Sequence, residues 1–232
     1  MKCRIVALIG AMLLAIPLAA EEKEAERMLH AAGVLVEVVG APEGISKNLL
    51  NKAVCVGVIP SFKKAAFGIG GGGGKGAIIC RRGGTGAWGG PTLFTTGGPS
   101  IGFQLGATAT DLIFLVMNPE GAEKLARSGA KLGADASVAA GPKGREAEAA
   151  TDLRMGAEIL SYSRSRGLFA GVSLEGAVIN QDEKGNRRMY GRDIDPKEIL
   201  LKGVAVPAAA VPLVNTLNRL SPHGGKPFKT TN

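Results

Sequence analysis

FGIGGGGGKGAIICRRGG, residues Phe67–Gly84, sets one lysine among glycines and ends in two arginines. Read as a loop that cradles phosphate, it makes the chain a nucleotide-binding protein. Read as backbone for a sheet, it makes a β-rich scaffold. A phosphate loop needs G-x-x-x-x-G-K followed by Ser or Thr. With Lys75 as the lysine, Ile69 stands where the first glycine belongs and Gly76 replaces the hydroxyl residue. Gly68, Gly70 and Gly73 do satisfy G-x-G-x-x-G, but that motif needs a helix directly after it, whose N-terminus binds the pyrophosphate. The apolar run Ala77–Cys80 follows instead and reads as a strand. No nucleotide is expected. The glycines read as a corner between two strands, where positive φ and close backbone approach are needed.

Cations surround that corner. Lys63 and Lys64 precede it, Lys75 lies within it, and Arg81 and Arg82 follow. If the glycines turn the chain back, these side chains converge on one rim. Backbone N–H groups and cations together suit a phosphate-bearing headgroup. The alternative is a solvated charged edge that blocks pairing between strands of different molecules.

Outward from this stretch the pattern is mostly β. AVCVGVIP (Ala53–Pro60) is β-branched and apolar. SIGFQLGATAT (Ser100–Thr110) alternates, with Ile101, Phe103, Leu105, Ala107 and Ala109 on one face. DLIFLVMN (Asp111–Asn118) is apolar on both faces and reads as central in a sheet. Further strands are expected in KLGADASVAAG, MGAEILSYSRS and LFAGVSLEGAVI. Helical spacing of Met28, Leu29, Ala32, Leu35, Val36 and Val39 predicts a first helix over 21–39. Ser46 caps a short second one. Asn118 with Pro119 opens a third that Gly129 stops. Asp195–Glu198 opens a last helix through Ile199 and Leu200. The expected fold class is α+β: a curved antiparallel β-sheet, barrel-like, with helices from the N- and C-terminal segments.

The ends are separate. MKCRIVALIGAMLLAIPLAA (residues 1–20) has Lys2 and Arg4, an apolar run and a small-residue end, the pattern of a secretory signal peptide. The expected organisation is a signal over 1–20, a single domain over 21–220 and a loose tail over 221–232. The protein is expected to be exported, periplasmic or extracellular. Its formal net charge is +8, which in an exported protein points to anionic lipid or polymer rather than nucleic acid. Cys55 and Cys80 remain after cleavage and are expected as buried free thiols, with a disulfide as the alternative. With only His30 and His223, neither a zinc site nor a Ser-His-Asp triad is expected, and no cofactor is expected.

At SYSRSRGLFAGVSLEGAVI (Ser161–Ile179) the chain resembles the SYLF domain family. PSFKKAAFGIGGGGGKG, GAWGGPTLF with Trp88 and Pro91, and SIGFQLGATATDLIFLVMN with Gln104, Gly106, Asp111, Met117 and Asn118 extend the resemblance over roughly Leu49 to Leu200. It implies binding of phosphoinositides and other anionic phospholipids without catalysis. Some eukaryotic members also bind actin filaments, a partner not carried over to an exported chain. Lys64 falls at the family's lysine and Arg164 at the arginine of its Ser-Tyr-Ser-Arg segment. The expected lipid-binding set is therefore Lys63, Lys64, Lys75, Arg81, Arg82, Arg164 and Arg166. A protein partner is left open.

Two other classes compete. A hydrolase needs paired carboxylates in one cleft, and Asp111 and Glu175 are the candidates. Asp111 reads instead as an acceptor for backbone N–H or for Arg164, so no enzyme is expected. A structural envelope protein would use the glycine-rich face to bind a partner or itself.

Overall fold

The glycine run is strand rather than corner. In the computed structural model β1 (Cys55–Phe67) and β2 (Ile69–Arg81) pair antiparallel, with Cys55 opposite Cys80, Lys63 opposite Gly73 and Ala66 opposite Gly70. Residues 22–39, 41–67, 69–101, 106–142, 156–165, 167–225 and 227 are described. The corner reading failed because extended backbone also tolerates glycine where bulky neighbours need the room. A Cβ on Gly76 would lie 2.6 Å from the Phe94 ring, and one on Gly72 would lie 2.6 Å from the Phe62 ring.

β3 (Trp88–Ile101) pairs with β2, and β4 (Gly106–Val116) pairs with β1 on its other side. The predicted strand SIGFQLGATAT is thus divided: Ile101 ends β3, Gly106 begins β4, and Phe103 and Gln104 lie outside the described residues. The other elements are β5 (Ala130–Lys131), β6 (Val138–Ala140), β7 (Ile159–Ser165), β8 (Leu168–Gly171) and β9 (Val178–Gln181). The sheet runs β5-β9-β3-β2-β1-β4-β7-β6, with β8 on β7. Only the β6–β7 pair among these is parallel, so the expected antiparallel sheet is in fact mixed. It curls strongly into a half-barrel. Two further predicted strands are broken. Gly133, at φ 90°, interrupts KLGADASVAAG, and LFAGVSLEGAVI divides into β8 and β9 around Gly176 at φ 81°.

Both faces are buried, which explains the unalternating apolar run of β4. On one face α1 (22–39), α2 (Lys47–Lys52) and α5 (Val211–Leu220) bring Met28, Leu35, Leu50, Leu213 and Leu217 onto Val56, Val58, Ile79, Ile113 and Leu115. On the other, Ile59, Phe62, Ile78, Phe94 and Phe114 meet Leu125 of α3 (Pro119–Leu125) and Leu200. Phe94 and Phe114 pack edge to face at 5.9 Å. Each such side chain contributes about 1.5–3 kcal/mol when fully buried. The caps follow their sequence signals: Ser46 Oγ accepts from Leu49 N, and Asn118 Oδ1 accepts from Gly121 N.

Three departures matter below. Cys55 and Cys80 form a disulfide rather than free thiols, because the pairing of β1 with β2 sets them directly opposite each other. α4 (Glu183–Tyr190) and α5 were not expected as helices. The C-terminal segment begins buried: the peptide N–H of Gly225 donates to Asn51 O, and Ser221 has no exposed surface.

Candidate functional site

The expected cations that lie among the described residues do not share one rim. Lys63 and Lys64 are both exposed, but adjacent strand residues point to opposite faces. Lys64 sits on the face of Phe62, its Nζ 6.0 Å from the ring centre. Lys63 faces the other way, opposite Ala109. Lys75 is opposite Thr95, 58% exposed, with Nζ 4.0 Å from Asp182 Oδ2. These three lysines occupy the same arm of the sheet. Because β2 runs on instead of turning, Arg81 lies six residues beyond Lys75, about 20 Å at the usual rise of a strand. Arg82 is exposed at that distant end.

Arg81 leaves the surface altogether. It is fully buried, its Nε donates to Ala53 O, and its Nη atoms donate to Gly86 O, Ser221 O and Ser221 Oγ. The guanidinium stacks on Trp88 at 4.1 Å, and the Trp88 Nε1–H donates to the same Ser221 carbonyl. Burial lowers its pKa to about 10, so it stays charged at neutral pH. Its work is to tie the C-terminal segment to β2. Nothing in the residue type separates this arginine from a surface one; its place at the end of an apolar strand is the available signal.

Arg164 on β7 is also engaged. Its Nε donates to Asp111 Oδ2 at 2.9 Å, and its Nη1 donates to Glu37 Oε2 of α1. Asp111 Oδ1 accepts the peptide N–H of Ser61 at 2.9 Å. That contact holds a bulge in β1, where Ser61 has φ 57°. Asp111 thus takes the backbone and arginine bonds its position suggested. Arg166 lies outside the described residues.

These groups line a cleft of about 500 Å³ between α1 and the β1–β4–β7 part of the sheet. Leu29, Gly33 and Glu37 reach it from α1 at successive helical turns, Ser61 from the bulge, and Asp111 and Arg164 from the floor. Glu175 is not part of it. It is exposed beside Gly133, near β5, so the two candidate carboxylates are not brought together. Sequence reasoning missed Glu37, although Leu29, Gly33 and Glu37 recur every four residues and so share a helix face.

No described helix is long and apolar enough to cross a membrane. A profile of the Ysc84 family, described as Las17-binding protein actin regulator, matches residues 97–220. The SH3 domain-containing protein PJ696.02 of Schizosaccharomyces pombe is 39% identical over 204 residues, 87% of this chain and 47% of its own length. Protein YSC84 of Saccharomyces cerevisiae is 36% identical over 203 residues, 86% of this chain and 43% of its own. The human SH3 domain-containing YSC84-like protein 1 is 33% identical over 202 residues, 87% of this chain and 58% of its own. The chain spans about half the length of these relatives. No solved structure matches it. The chain belongs to the Ysc84 family, the SYLF family to which its motifs pointed.

Proposed function

We propose that this chain is a non-catalytic, exported protein that associates with anionic phospholipid surfaces through the β1–β2 arm. The observation that carries this reading is the placing of Lys63 and Lys64 on opposite faces of one strand, beside a partner strand whose opposing residues are glycines. The arm, flanked by β3 and β4, presents cations on both faces when its tip meets a surface end-on, and Lys75 adds a third. Each lysine near an anionic surface contributes about 1 kcal/mol, weakened by salt. The Cys55–Cys80 disulfide supports an oxidising compartment, as does the leader pattern of residues 1–20. Co-sedimentation with anionic and neutral vesicles at two salt concentrations tests the reading. Binding that ignores lipid charge and salt would sink it.

The family description supports a second reading, in which the domain binds a protein partner of the actin-regulating kind. Sedimentation with filamentous actin, without lipid, separates the two.

A further inference from the structure

We infer that the cleft under α1 is a binding site for the phosphomonoester headgroup of a single amphiphile, which takes the place of Glu37 on Arg164. The lipid nature of the ligand rests on the reading above; the site itself does not.

The first observation is Gly33. It stands inside α1, where glycine is less favourable than alanine, and a Cβ placed on it meets nothing within 4 Å. No packing contact asks for glycine there. Its effect is to leave the cleft open from the helix side.

The second is the asymmetry of the two carboxylates on Arg164. Asp111 is 15% exposed and also holds the Ser61 peptide, so it is fixed. Glu37 is 61% exposed and reaches in from the rim. An exposed ion pair is weak and readily exchanged. An arriving anion that displaces Glu37 finds the same guanidinium, oriented by Asp111. A planar guanidinium suits phosphate oxygens two at a time.

The third is the distribution of polarity. The floor carries the charged pair Asp111 and Arg164, the walls carry Val34, Pro60 and Ala109, and exposed Leu29 stands at the lip beside His30. Leu29 on α1 is 55% exposed, and Leu168, next to the lining residue Gly167, is 76% exposed. A charged floor below apolar walls matches a molecule with a charged head and a hydrocarbon chain.

Titration calorimetry on the full chain tests this with three soluble probes: lysophosphatidic acid below its micelle concentration, glycerol 3-phosphate and monoacylglycerol. One-to-one binding of lysophosphatidic acid is expected, with the other two weaker. Gly33→Leu fills the cleft and should weaken binding by at least about tenfold. Its Tm should hold or rise, since glycine leaves a helix, and Gly33→Ala controls for that effect. Glu37→Gln removes the competing carboxylate and should tighten binding about three- to fivefold. If glycerol 3-phosphate binds equally well with the same responses, the site stands and its ligand is a free phosphomonoester. Affinity unchanged in both Gly33→Leu and Glu37→Gln overturns the site. Vesicle sedimentation of Gly33→Leu keeps the two ideas apart: the arm reading expects it to match the parent chain. A parent chain that ignores vesicles but titrates lysophosphatidic acid would instead remove the arm and keep the cleft.

Discussion

Glu37 on α1 and Arg164 on β7, 127 residues apart in sequence, form an ion pair across the cleft while Arg164 keeps Asp111 on its other side. At the opposite end of α1, buried Glu24 pairs with Arg188 of α4. The first helix is therefore pinned firmly at its buried Glu24 end and only loosely at its exposed Glu37 end. Between those pins lie Gly33 and the open cleft.

The glycines of β2 are expected to separate by parity. A Cβ on Gly76 would lie 2.5 Å from Val58 O and 2.6 Å from the Phe94 ring, whereas one on Gly73 has its nearest neighbour, Thr96 O, at 3.4 Å. Gly76→Ala should cost about 1–3 kcal/mol through overpacking. Gly73→Ala should be neutral or gain about 0.5 kcal/mol by restricting the unfolded chain. Urea denaturation of the two variants checks this, and equal losses would contradict it.

Arg81→Ala should be among the more damaging single substitutions. It leaves Ala53 O buried without its donor, takes one of two donors from Ser221 O, and removes the stack on Trp88. A loss of about 3 kcal/mol or more is expected, given 1.5–3 kcal/mol for a hydrogen bond to a charged group. Hydrogen exchange should show the start of the C-terminal segment released first.

Alkaline stability should report on Tyr190. Its hydroxyl donates to Pro91 O at 2.8 Å, and burial pushes its pKa well above the ordinary value. A group whose folded pKa is raised stabilises fully below its unfolded value, about 10, and loses that contribution as pH rises further. The parent chain should therefore lose stability above about pH 10 more steeply than Tyr190→Phe. Parallel slopes in pH-dependent melts would contradict this.

The disulfide should be detectable and stabilising. Without reduction, alkylation should spare Cys55 and Cys80, as mass spectrometry would read. Reduction should cost about 3 kcal/mol for a closed loop of this length. Alkylation of both residues in the unreduced folded protein would contradict the pairing.

What the sequence revealed, and what it hid, follows the range of the interactions. The caps at Ser46 and Asn118 are local, so they were legible. The central place of β4 was legible too, because apolar residues on both faces leave no solvent side. α5 was hidden by its prolines, yet Pro212 stands in the first turn, where no helical hydrogen bond is lost. α4 was hidden by its polarity: EKGNRRMY has a weak apolar face and is held by the Asp182 cap and the contacts of Asn186 with β3. The glycine run misled because close ring packing and positive φ ask for the same residue. The site was read through residue type, so Arg81 and Lys63 looked alike. Alternation along β1 turns Lys63 away from Lys64, and Arg81, at the far end of β2, is drawn inward by Ala53 O and Ser221.

Vesicle sedimentation of two double charge reversals decides whether the arm, rather than net charge, meets the lipid. Lys63→Glu with Lys64→Glu alters the arm. Arg82→Glu with Arg219→Glu alters net charge equally, at exposed positions near the Trp88 end of the sheet. On anionic vesicles the arm variant should lose at least about tenfold in affinity, from roughly 1 kcal/mol per cation, and the control should lose far less. Equal losses, or a larger loss in the control, would contradict docking through the β1–β2 arm.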